Sequence, residues 1–196
     1  MKILLITGPI GGGKSKLCRM LQKHGVPVYD CDEQTKSIYQ RHPSLLTEME
    51  KALGCTLRNE QGELDKAVLA NLIFADDKAR AKINALVHPQ VVEDFQQWAV
   101  GQSTAWVAIE SALFLSPQAG ARLDADAVIY VDAPESLRIQ RILSRGGATT
   151  LEQAQARVAA QDISPKDARV SHVLVNDGTE EKLELQLNQI LQSLSI

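Results

Sequence analysis

No apolar run in the sequence approaches membrane-spanning length, and no internal repeat or low-complexity tract interrupts it. The first absence argues against a membrane protein. Met1 leads into an apolar segment with no basic stretch ahead of a hydrophobic signal core, so the expected address is cytoplasmic. Cysteine is scarce: Cys18, Cys31 and Cys55 have no metal-ligand spacing, and an odd number in 196 residues points to reduced thiols in a cytosol. Cys18 lies on an apolar stripe and is expected in the core rather than in redox chemistry. Positive charge is not in surplus. A net charge of −3 offers no general attraction for nucleic acid or an anionic membrane, so neither is an expected partner. A polyanionic small molecule would have to be held by locally placed cations. No all-round apolar patch is evident; oligomeric state stays open, and a monomer is compatible. The remaining composition, 44% hydrophobic and 23% charged, is that of a soluble globule with room for one core and an inserted subdomain.

What is present is concentrated near the amino end. Gly8-Pro9-Ile10-Gly11-Gly12-Gly13-Lys14-Ser15 is a complete G-x-x-x-x-G-K-[ST] phosphate loop, preceded by the apolar Ile3–Ile6 and followed by a helical pattern. Its glycines allow backbone N–H groups to converge on an anion, and the helix starting near Lys14 aims its positive end at the same point. Lys14 can reach the β- and γ-phosphates, and the Ser15 hydroxyl can ligate Mg²⁺.

The spacing predicts a strand over Lys2–Thr7, a helix over Lys14–His24 stopped by Gly25, and a strand over Val26–Tyr29, the opening of a parallel α/β sheet. Residues 33–101 show no convincing strand and read as a helical insertion. Helices are expected from Pro43, after a cap at Asp65, after Asp76 or Asp77, and from Pro89. Strands resume at Trp106–Ile109, Ala127–Val131 and His172–Val175. Pro134 opens a helix, a Thr150–Gln153 capping box opens another running to about Gln161, and a last helix carries Leu183, Leu187, Ile190, Leu191 and Leu194.

Several residues could complete a site around the loop. Asp30 and Asp32 end the second strand, over the ligand crevice of an open α/β sheet. A carboxylate there could take a proton from an attacking hydroxyl or orient Mg²⁺, or the pair could cap the next helix. Arg141 and Arg145 share a helix face before Gly146-Gly147, as in a lid that closes over ATP; a solvated basic face is the alternative. Arg138 points elsewhere and is expected at the surface. His88-Pro89 reads from its spacing as a structural cap. Asp132 reads as a helix start rather than a Mg²⁺-organising carboxylate, with Glu110 a weaker candidate for that role. Phe95 and Trp98 belong to a core.

Taken in order, these segments resemble the dephospho-coenzyme A kinase family nearly end to end. The resemblance rests on the phosphate loop, Val28-Tyr29-Asp30-Cys31-Asp32, Gly62-Glu63-Leu64-Asp65 with Leu69 and Ile73-Phe74, and Leu86-Val87-His88-Pro89. Arg141 and Arg145, Gln161, and Val175-Asn176-Asp177-Gly178 complete it. It implies a P-loop, nucleotide-kinase-like α/β fold of three layers. A five-stranded parallel core would be formed by 1–32 and 102–196, a helical acceptor domain by 33–101, and a lid by 138–162. It implies ATP-dependent phosphorylation of the ribose 3′-hydroxyl of dephospho-coenzyme A, with Mg²⁺. Gly11, Gly12, Gly13, Lys14, Ser15 and Lys16 would bind ATP, Arg141 and Arg145 would lie over it, and Asn176 would lie near the adenine. Lys14 and Arg141 would serve the transfer and Asp32 would be the base. His88 would move from cap to substrate pocket. Lys16 stands where the family usually has threonine, its backbone N–H still available to the α-phosphate. Lys66 stands at a substrate position where many members have arginine, losing a bidentate fork. The segment reaching Ser116 lacks a glutamate found in many members. A kinase for another small hydroxyl acceptor would share the core. A nucleotide-dependent switch would call for an Asn-Lys-x-Asp element that this sequence lacks.

Overall fold

The computed structural model describes residues 1–196 except 113, 116–118, 146–149 and 162, and gives the backbone but not the side chains of 32, 35–37, 40 and 74. In chain order its elements are β1 (Lys2–Thr7), α1 (Lys14–Lys23), β2 (Val28–Asp30), α2 (Cys31–Arg41), α3 (Pro43–Leu53), α4 (Lys66–Ala75) and α5 (Asp77–Val100). There follow β3 (Trp106–Glu110), β4 (Ala127–Asp132), α6 (Glu135–Ser144), α7 (Leu151–Ala159), β5 (His172–Val175) and α8 (Glu180–Leu194). They form two compact units, one of Met1–Tyr29, Gln102–Pro117 and Asp124–Ile196, the other of Asp30–Gly101 with Gln118–Leu123.

The first unit is built on a five-stranded parallel sheet in the order β2-β3-β1-β4-β5. Leu4 faces Ala108 of β3 on one side and Ala127 of β4 on the other. Leu4, Leu5 and Ile6 are all buried, so both faces of β1 are covered. This is why its sequence is a continuous apolar run rather than an alternating one. Leu4, Ile6, Ala108, Ile129 and Leu174 pack with Leu17 and Leu21 of α1 and with Leu183, Leu187 and Leu191 of α8. β1 lies between β3 and β4; the chain leaves β1 toward β2 on the β3 side and later crosses from β3 to β4 on the other side, and the phosphate loop leaves from the carboxyl end of β1 where these connections part. Gly25, at φ +78°, ends α1, and the Val26 N–H reaches back to the Leu21 carbonyl at 3.0 Å. That bond commits Val26 to the helix end, so β2 begins at Val28 rather than at Val26.

In the helical unit, α3 starts at Pro43. Asp65 caps α4 by accepting from the Ala67 and Val68 amides, and Asp76 caps α5 by accepting from Lys78. The insertion begins with α2 ahead of Pro43, with Ile38 fully buried. One helix expectation needs correction: Pro89 does not start a helix; it lies inside α5, which runs unbroken for 24 residues. Ile83, Val87, Val91, Phe95 and Ala99 are buried at four-residue steps on both sides of it. A helix-internal proline costs about 3 kcal/mol, and burying each large apolar side chain returns about 1.5–3 kcal/mol, so the stripe outweighs the break. The segment Gln118–Leu123, assigned by the sequence to the core, belongs to this unit. The Gly120 N–H donates to His88 Nδ1 at 2.9 Å, and a Cβ on Gly120 would collide with the backbone of Asn84 and Ala85 in α5. No helix among the described residues is long and apolar enough to cross a membrane.

Candidate active site

Among the described residues, five helices carry a side-chain cap at the amino end: α2 by Asp30, α4 by Asp65, α5 by Asp76, α7 by Thr150 and α8 by Thr179. α1, like α3 and α6, has none. Its N-cap is Gly13, with no side-chain cap hydrogen bond and no acidic residue in the first turn. The partial positive charge at a helix start is normally answered by an oxygen of the chain itself. At α1, which follows the glycine-rich loop, it is available to an external anion.

The loop in front of α1 is held from behind. Arg141 Nη1 donates to the Gly11 and Gly12 carbonyls at 3.0 and 3.2 Å, and Nη2 donates to the Asn176 carbonyl at 3.0 Å. Asn176 Nδ2 donates to the same Gly12 carbonyl at 2.8 Å. A trans peptide points its C=O and the next N–H in opposite directions. Drawing the Gly12 carbonyl toward Arg141 and Asn176 therefore turns the Gly13 N–H the other way. Gly13 has φ +106°, and a Cβ there would run into the Asn176 amide. Gly11 lies so close to α6 that a Cβ would stand 2.7 Å from the Arg138 carbonyl. Burial first, then the charge of Arg145, lowers the Arg141 pKa below the ordinary arginine value; it remains a cation at neutral pH.

Lys14 Nζ lies on the loop, donating to the Gly8 carbonyl at 2.9 Å and the Pro9 carbonyl at 3.3 Å. Ser15 Oγ donates to Glu110 Oε1 at 3.1 Å. A cavity of about 510 Å³ opens beside the loop, lined by Gly13, Ser15, Lys16, Arg141, Arg145 and Asn176 among others. Arg19 also lines it, so four cationic side chains face one space in a chain whose net charge is −3. This is the local positive charge that a polyanionic ligand needs.

Gly11, Gly12, Gly13, Lys14, Ser15, Lys16, Arg141, Arg145 and Asn176 are thus brought together. Several details differ from the sequence reading. Arg138 is half-buried, with its Nε enclosed and lacking a hydrogen-bond partner, because the loop packs against its backbone. The Lys16 N–H donates to the Gly13 carbonyl at 3.0 Å, closing the first turn of α1, and its ammonium pairs with Glu180 at 3.0 Å. Asn176 is buried and braces the loop. Asp132, the last residue of β4, accepts from the Ala133 amide at 2.8 Å and lies two residues ahead of Pro134, the N-cap of α6, which has no side-chain cap. Glu110, ranked below Asp132 in the sequence, is the carboxylate paired with Ser15. Its signal was its place at the end of the strand beside β1. Asp30 accepts from the Glu33 amide at 3.1 Å, the capping alternative. The Asp32 side chain, Gly146-Gly147 and Ser116 lie outside the described residues.

In the helical unit, His88 is 7% exposed, inside α5, with Nδ1 accepting from Gly120. Burial lowers its pKa from 6.5. Lys66 is exposed at the first turn of α4.

The family model described as dephospho-CoA kinase matches residues 2–182. A dephospho-CoA kinase of Deinococcus radiodurans is 37% identical, over 97% of this chain and 91% of its own length. A solved protein from Thermus thermophilus, TT1252, superposes with a TM-score of 0.79 at 30% identity, covering 98% of this chain and 97% of that one. The dephospho-CoA kinase of Campylobacter jejuni shares the fold with a TM-score of 0.64 at 21% identity, over 98% and 96% of the two chains. The architecture is that of the P-loop nucleotide kinases.

Proposed function

The chain belongs to the dephospho-CoA kinase family, and on that premise we infer that it phosphorylates the ribose 3′-hydroxyl of dephospho-coenzyme A, the final step of coenzyme A biosynthesis. It is a phosphotransferase with an alcohol acceptor, and ATP is the donor. The observation that carries this reading is the reach of the match. Residues 2–182 take in the phosphate loop and the whole helical block, not the generic loop alone. A kinase for another hydroxyl acceptor would not need that second half, and the switch reading lacks its guanine-specifying element.

The division of labour proposed here follows the residues. The loop amides and the start of α1 hold the phosphates, with Arg141 and Asn176 fixing the loop's shape from behind. Lys14 exchanges its carbonyl partners for phosphate oxygen. Arg145 and Lys16 add charge at the cavity. The 3′-oxygen attacks the γ-phosphorus, its proton passes to the Asp32 carboxylate, and the bond to the β,γ-bridging oxygen breaks to release ADP. Most of the rate enhancement is then positioning and charge stabilisation. Residues 33–101 receive the acceptor, with His88 and Lys66 contributing to its binding and 138–162 serving as the lid.

The residues suit Mg²⁺. Ser15 gives its proton to Glu110 and keeps lone pairs for a cation, with a carboxylate alongside. No group of three or more His, Cys, Asp or Glu side chains able to hold a metal occurs among the described residues. Mg²⁺ in phosphoryl-transfer sites is held by one or two protein oxygens together with substrate phosphates and water. When bound, Mg²⁺ supplies charge neutralisation at the transferring phosphates. A cytoplasmic monomer completes the proposal.

ADP formation that depends on dephospho-coenzyme A, measured against a panel of hydroxyl acceptors, tests the reading. Equal ADP release without that acceptor, or a preference for another, would overturn it. Asp32→Asn is expected to cut turnover about 10²-fold or more with nucleotide affinity unchanged, and Lys14→Ala to cripple transfer.

A further inference from the structure

The loop is gripped by the α6–α7 pair at one residue that the phosphate chemistry does not use. The Ile10 side chain packs into the small apolar cluster of Ile142, Ala154 and Val158, beside Ile139. The Ile10 N–H donates to Gln161 Oε1, just beyond the end of α7. Side chain and amide of one loop residue are thus both held by this pair of helices.

The other end of the same peptide plane faces the site. The Pro9 carbonyl, joined rigidly to the Ile10 N–H, accepts from Lys14 Nζ at 3.3 Å and from the Gly12 N–H at 3.0 Å. In a trans peptide the two groups point in opposite directions and turn together. A hydrogen bond on the outer N–H therefore sets the direction of the inner carbonyl. The plane has an acceptor from Gln161 on one side, and the ammonium and an amide on the other.

We propose that Gln161 is a positioning residue for phosphoryl transfer, fixing the Pro9–Ile10 peptide plane and through it the resting place of the Lys14 ammonium. The inference rests on the kinase reading for its consequence but not for its geometry. An acceptor is required at this position, since the partner is an N–H. A glutamate supplies one and a leucine of similar size does not. With leucine, the peptide plane loses its outer anchor and is held only through the Pro9 carbonyl and the packed Ile10 side chain, so Lys14 starts from a less closely fixed position. A misplacement of this kind is expressed in the chemical step rather than in acceptor binding.

The test uses the full chain and two variants, Gln161→Leu and Gln161→Glu, with two readouts. By amide NMR, the wild-type Ile10 N–H is expected to exchange slowly. Its resonance shifts and its protection is lost in Gln161→Leu, and both return in Gln161→Glu. In steady-state kinetics, Gln161→Leu is expected to lower kcat by roughly 10- to 100-fold, with KM for dephospho-coenzyme A unchanged, and Gln161→Glu to recover most of it. Fast exchange of Ile10 in the wild-type chain would overturn the proposal without recourse to a variant. So would a Gln161→Leu protein with a freed Ile10 amide and normal kcat. A wild-type chain inactive on dephospho-coenzyme A would count against the assigned reaction and leave the positioning of Ile10 to be judged on its amide alone.

Discussion

Ser15, on the first turn of α1, gives its hydroxyl proton to Glu110 at the end of β3, across 3.1 Å. The two residues are 95 positions apart in the chain, and the parallel pairing of β1 with β3 brings them together. If the pair holds Mg²⁺, Glu110→Gln keeps an oxygen but loses the charge. The Mg²⁺ concentration for half-maximal rate is then expected to rise by about 10- to 100-fold, the scale seen when a ligand's support is altered. A rate titration against Mg²⁺ reads this directly; an unchanged midpoint would remove Glu110 from the metal site.

Arg141 spans the carbonyls of Gly11, Gly12 and Asn176. A lysine ammonium cannot present that planar fork. Arg141→Lys is expected to destabilise the fold by about 2 kcal/mol, for lost charge-assisted hydrogen bonds. In a chain of this size that lowers Tm by roughly 4–8 °C. ATP binding should weaken in the same variant, since the loop it braces is the phosphate cradle. Calorimetry of unfolding and of nucleotide binding would show both effects or refute the bracing role.

Two glycines with positive φ separate backbone strain from site geometry. Gly13, at +106°, has the Asn176 amide where a Cβ would go, whereas Gly25, at +78°, has nothing within 4 Å. Gly25→Ala should cost only the left-handed backbone penalty of about 1–2 kcal/mol and leave nucleotide affinity intact. Gly13→Ala should in addition weaken nucleotide binding by more than ~10-fold, with helix content unchanged by circular dichroism. Equal affinities for the two variants would argue against a rigid loop.

His88 accepts a hydrogen bond on Nδ1, so its folded form is the neutral ring, and burial lowers its pKa from 6.5. The unfolded chain then binds more protons than the native one as pH falls through 6.5, and stability contributed by this group declines on acidification. The difference in Tm between the wild type and His88→Asn, which retains an acceptor but does not titrate, should shrink toward pH 5 and widen toward pH 7.5. A pH-independent difference would mean the ring titrates alike in both states.

The parts of the fold legible in the sequence were those with local causes. The β1 run, the phosphate loop, the stop at Gly25 and the caps at Asp65, Asp76 and Thr150 each rest on residues within a few positions of one another. What escaped has distant causes. Pro89 reads as a helix start because proline is a local signal, and only the stripe from Ile83 to Ala99 shows why the helix continues. Asp132 and Glu110 both end strands, and nothing local tells which one meets Ser15. Arg138 reads as surface because the approach of Gly11, more than a hundred residues upstream, cannot be seen in its helix.

The helical unit is not a single stretch of chain. His88 is answered by Gly120, which arrives only after β3 has been laid down. A fragment cut at Gly101 would leave the imidazole without its donor and a bare seam along α5. Exchanging this unit between relatives therefore means grafting two pieces together, and synthesis from the amino end cannot complete it until the chain has left the unit, built a strand elsewhere and returned.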